Sequence, residues 1–162
     1  MKKKISIGRV LLWEIVVFII VFLINVLMCG GIDGISHFID TPSILSIVLI
    51  VAPALLVSGM GHDFINAFTV GKKQYSLRQL KRSAEAVQMV QRLVICGGGL
   101  SSVIAIVTIL SMLDSPSTLG PNLAVAVLVV FYAIVIEFLL TPLKANVQNA
   151  ITDMMDVEDE EE

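Results

Sequence analysis

Apolar residues run along this chain in four long blocks, at 10–29, 44–60, 93–113 and 123–140, with polar stretches between them. Each block is long enough to cross about 30 Å of hydrocarbon as a helix. The second is the shortest and holds Pro53, which predicts a kink. Ahead of it, Asp40 or Thr41 followed by Pro42 has the form of a helix start, an N-cap and then proline at the first helical position. The 61–92 stretch has local signals of its own. Gly71 can end an extension of the second span, and Ser76-Leu77-Arg78-Gln79 fits a capping box. From Leu77 nothing interrupts the pattern until Gly97-Gly98-Gly99, and it resumes through Leu113. This predicts one helix of about 35 residues that projects roughly two to four turns beyond the membrane at about 1.5 Å per residue. Leu77, Leu80, Ala84, Val87 and Val94 form an apolar stripe along it, which predicts packing on a neighbour. The segment PSTLGP predicts a tight turn at the head of the fourth span.

Composition agrees with a membrane class. Of 162 residues, 56% are hydrophobic and 15% charged, and the mean hydropathy is +0.90, well outside the range of a soluble domain. Lys2, Lys3, Lys4 and Arg9 precede the first span, six Lys or Arg lie between the second and third, and Lys144 follows the fourth. The loops at 30–43 and 114–122 hold no Lys or Arg. By the positive-inside rule both termini are expected in the cytoplasm. The expected fold is therefore an all-α integral membrane protein with four transmembrane helices, both ends inside, and the third helix extended into the cytoplasm. One domain covers 1–150. The acidic segment 151–162, which includes seven of the fourteen acids, is expected to be disordered.

The chemistry of an enzyme is not legible here. No nucleotide loop, metal-ligand spacing or nucleophile beside a base stands in the chain, and His37 and His62 are isolated. No cofactor, metal or nucleic-acid partner is expected. Cys29 and Cys96 fall at opposite membrane faces, which excludes a disulfide between them. VLMCGG resembles a lipoprotein cleavage site, but Met28 stands where a small residue is needed and the run is long for a signal. The basic inner loop implies attraction to anionic lipid.

Polar residues inside the spans carry the remaining information. Glu14 is one turn into the first span, where it can snorkel or pair with Arg9. Asn25 can bond a neighbouring helix. Gly98, Ser101, Ser102, Ala105 and Thr108 make a small, weakly polar stripe on the third span, suited to close helix packing or to lining a pore. Glu137 lies near the inner end of the fourth span. One reading makes it an interfacial acid paired with Arg92 or Lys144; the other turns it to a wet cavity or partner helix, where it could carry protons.

The last hairpin, PSTLGPNLAVAVLVVFYAIVIEFLLTP, resembles that of the MotA/TolQ/ExbB proton-channel family, closest to the MotA flagellar stator branch. Leu119, Gly120, Pro121, Ala124, Val125, Ala126, Tyr132 and Pro142 match the family pattern LGP-x-x-AVAL-x-TT-x-YG and its later proline. Gly98, Ser101 and Ser102 match its Gly-x-x-Gly-Thr segment, and FIDTPSILSIVLIVAPALLVS resembles its second span. The resemblance implies a homopentamer of the bacterial inner membrane around two single-span partner helices that bring an intramembrane Asp. It implies an ion pathway past Ser101, Ser102, Thr108, Val130 and Glu137. Gly98, Ala105, Gly120, Pro121, Ala126, Tyr132 and Pro142 would serve packing and hinge roles.

Departures from the family pattern define what kind of member this would be. The paired threonines fall on Val129 and Val130, the proline that opens the third span falls on Ile95, and the large cytoplasmic domain is missing. The expectation is a minimal stator core: the ring subunit of a small motor driven by protons or sodium ions. A non-conducting oligomeric scaffold is the competing reading, and a small solute transporter a third.

Overall fold

A computed structural model describes residues 7–29, 31, 35, 38–111 and 116–160. Lys2–Lys4, His37, Asp114 and most of the 30–37 loop lie outside them. The described residues form five helices: α1 (Ile7–Cys29), α2 (Thr41–Val57), α3 (Gly61–Ala67), α4 (Leu77–Leu110) and α5 (Pro116–Glu160). Three of these, α1, α4 and α5, are long and apolar enough to cross a membrane, and α2 with α3 makes a fourth if that bent pair is one span. Leu12, Trp13, Ile20, Val103, Ile104 and Val107 stand exposed along the helices, a surface that lipid, not water, would cover. The architecture is all-α and consistent with a multi-pass membrane protein.

Local signals set most helix boundaries. Asp40 caps α2, its carboxylate accepting from the Ser43 amide at 3.0 Å and from the Ser43 hydroxyl, with proline in the first turn. Ser76 caps α4 in a complete capping box with Gln79, which satisfies donors that a helix start leaves open. The three glycines do not break α4, because the flanking helices hold that segment by packing.

Three expectations are corrected. Pro53 lies inside α2, and the chain turns sharply beyond that helix: α3 departs from α2 by 107°. Gly59, at φ +67°, sits in that corner, a conformation that glycine adopts without Cβ strain. The extension of the second span is thus a separate short helix. PSTLGP is not a tight turn either, since α5 is helical from Pro116 and runs through both Pro121 and Pro142. Nor is the acidic segment unstructured, because α5 continues to Glu160. Leu140, Leu143, Val147, Ile151 and Met154 recur at three- and four-residue steps. They pack with Leu80, Val87 and Val90 of α4 in one core cluster. The projecting half of α4 therefore finds its neighbour within the same chain.

Two close approaches fix the bundle. A Cβ on Gly98 would lie 2.6 Å from the Ala133 Cβ, and one on Gly97 would lie 3.0 Å from Ile50 Cδ1. These glycines let α5 and α2 lie against α4; Gly99 faces open space. One residue before Ala133, the Tyr132 hydroxyl accepts from the Asp40 amide at 2.9 Å and donates to the Phe38 carbonyl. The Tyr132 ring lies 5.7 Å from Phe131, and Phe131 joins Phe18, Phe22 and Phe38 in a cluster of ring contacts between 5.0 and 6.4 Å.

Candidate intramembrane carboxylate site

Among the polar groups in the long apolar helices, Glu137 has the most defined setting. Gln91 of α4 donates from Nε2 to Glu137 Oε1 at 2.9 Å. Gln91 is only 7% exposed, while its chain neighbour Arg92 is exposed. The second carboxylate oxygen, Oε2, is buried and has no hydrogen-bond partner among the described residues. Neither Arg92 nor Lys144 pairs with it, so the ion-pair reading of Glu137 is replaced by a hydrogen bond to a neutral amide.

Gln91 was legible in principle. It extends the α4 stripe of Leu80, Ala84, Val87 and Val94 by the helical step, so a polar residue stands where the pattern calls for an apolar one. A buried amide at such a position needs a partner, and Glu137 supplies it.

Glu14 has a related environment. Its Oε2 is also buried without a partner, and Arg9 is exposed and makes no ion pair with it. Phe131 lies between Phe18 and Phe22, at centroid distances of 6.4 and 6.2 Å. Asn25 bonds its own helix, from Nδ2 to the Val21 carbonyl at 2.8 Å, and not a neighbour.

The remaining predicted residues divide between the interior and the outer surface. Ala126 is buried, as is Gly98 at the α4–α5 approach, and Tyr132 ties α5 to the segment before α2. Val129, at a position where the family carries threonine, is buried in the core cluster, and Val130 is exposed beside it. Ser101, Ser102 and Ala105 are half-buried. Thr108 is exposed, and its hydroxyl donates to its own helix at the Ile104 carbonyl, 2.9 Å away. Gly120 and Pro121 are exposed, with open space around Gly120. Pro142 is half-buried inside α5. The Ser101–Thr108 face and Glu137 are not brought to one site within a single chain.

No protein-family model matches this chain, and neither a curated protein nor a solved structure matches it.

Proposed function

We propose that this chain is the ring-forming subunit of a small ion-driven membrane complex of MotA/TolQ/ExbB type, with Glu137 as its ion-carrying group. In this reading four spans cross a bacterial inner membrane with both ends in the cytoplasm. Five copies surround single-span partner helices that supply an Asp. One observation supports it above the others: a carboxylate in an apolar span, held on one oxygen by buried Gln91 and without a partner on the other. Ionisable groups at such positions are costly and mark ion or proton pathways. The free oxygen leaves Glu137 able to accept a proton while Gln91 keeps it in place. Five such groups near one mouth would repel when ionised and so share protons.

The test is ion flux in proteoliposomes, read with an internal pH dye, with and without a sodium gradient. Glu137→Gln keeps the shape and removes the charge, and flux is expected to fall at least tenfold. Unchanged flux removes Glu137 from the mechanism. The subunit count by native mass spectrometry tests the ring: five copies support it, and a monomer or dimer sinks it.

A second reading, a non-conducting scaffold, draws on two details. Val129 is packed in the core where a hydroxyl is expected, and the Thr108 hydroxyl is turned to its own backbone. Absence of flux in a pentamer would favour it.

A further inference from the structure

The corner between α2 and α4 has no role in the reading above. α2 ends in Leu56 and Val57, which are 77% and 90% exposed. After three linking residues α3 begins at 107° to α2, so at most about 10–14 Å of chain separates the two helices. One face of α3 is committed to the bundle. Ala67 is buried, Phe64 packs on the core cluster, and Asp63 pairs with Arg82 Nε of α4 at 3.2 Å. The other face presents Ile65, 63% exposed, and Phe68, 41% exposed.

The turn behind α3 is built, not loose. Tyr75 bonds back to Thr69 Oγ1 at 2.6 Å and donates to Asn66 Oδ1 at 3.4 Å, and Val70 is buried beneath it. Gly71, at φ +89°, then turns the chain so that Lys72 and Lys73 are both exposed. Neither lysine has an ion-pair partner among the described residues.

We propose that α3 and this turn form an interfacial foot that binds anionic phospholipid, with Ile65 and Phe68 at the acyl boundary and Lys72 and Lys73 on the headgroup phosphate. A short helix turned across the direction of a spanning helix, apolar outward and followed by paired cations, has the makeup of a membrane-surface element. Lysines near an anionic surface contribute about fivefold each in affinity. The proposal needs only that the chain lies in a membrane and is independent of ion conduction.

The test uses the full chain in nanodiscs of equal phosphatidylglycerol and phosphatidylcholine, with retained lipid counted by native mass spectrometry. Lys72→Gln/Lys73→Gln is expected to lower the preference for phosphatidylglycerol about 25-fold, about fivefold for each lysine. Arg78→Gln/Lys81→Gln, on the projecting helix, should leave it within about threefold. A loss under threefold in the first variant, or an equal loss in the second, overturns the proposal. Depth is read separately with Phe68→Trp in a Trp13→Phe background, since Trp13 is the chain's one tryptophan. Quenching by lipids brominated near the headgroup is expected. Quenching by aqueous acrylamide alone would show that the foot stands in water and overturn its placement.

Discussion

Gln91 on α4 and Glu137 on α5 are joined by a 2.9 Å hydrogen bond, and this pair links the packing of the longest hairpin to its one acid in the span. The amide is buried, so its two donors and its carbonyl need partners inside the bundle.

Removing one member should cost more than removing both. Gln91→Leu leaves Glu137 with neither oxygen bonded to the amide, and about 1–3 kcal/mol of stability should be lost. Glu137→Leu strands the amide at similar cost. The double change to leucine should be less harmful than the sum, with a coupling of about 0.5–3 kcal/mol. Unfolding in mixed micelles measures each corner of the cycle; strict additivity would show that the bond contributes nothing.

Gly98 and Gly99 are neighbours in sequence with opposite surroundings. Gly98→Ala sets two methyl groups 2.6 Å apart across α4 and α5, and neither can rotate away. A loss of about 1–3 kcal/mol is expected. Gly99→Ala meets open space and should stabilise α4 by up to about 1 kcal/mol through helix propensity. Thermal unfolding of the two variants in one detergent compares them, and equal effects would contradict the packing.

Tyr132→Phe removes the hydroxyl that serves both the Asp40 amide and the Phe38 carbonyl. The ring contacts remain, so the loss should be confined to about 1–3 kcal/mol from the two unsatisfied groups. Hydrogen exchange should report faster opening of the first turn of α2. Unchanged protection there would mean that the tyrosine only fills space.

The start of α4 depends on its capping box. Ser76→Ala should cost about 1 kcal/mol and raise exchange at the Gln79 amide while leaving residues beyond the first turns unaffected. Circular dichroism and residue-resolved exchange test this together, and loss of the whole helix would contradict a local role.

Much of the fold was readable because its causes are local. Asp40 and Ser76 start helices through their own side chains, and long apolar blocks need helices because lipid leaves no other partner for the backbone. The continuity of α4 through three glycines followed from the unbroken pattern on both sides. After Ala150 the acids mask, in the sequence, an apolar stripe through Ile151 and Met154 that continues the one beside it.

The sequence by itself determined the class, the starts of α2 and α4 and the presence of Glu137 in an apolar span, since each rests on residues close together in the chain. Only the tertiary structure decided that Gln91 meets Glu137 across 46 positions. It also decided that Gly98 rather than Gly99 is the contact glycine, and that α3 turns across α2. Those outcomes depend on helix register and rotation, which many sequences with the same hydrophobic pattern leave open until side chains interlock.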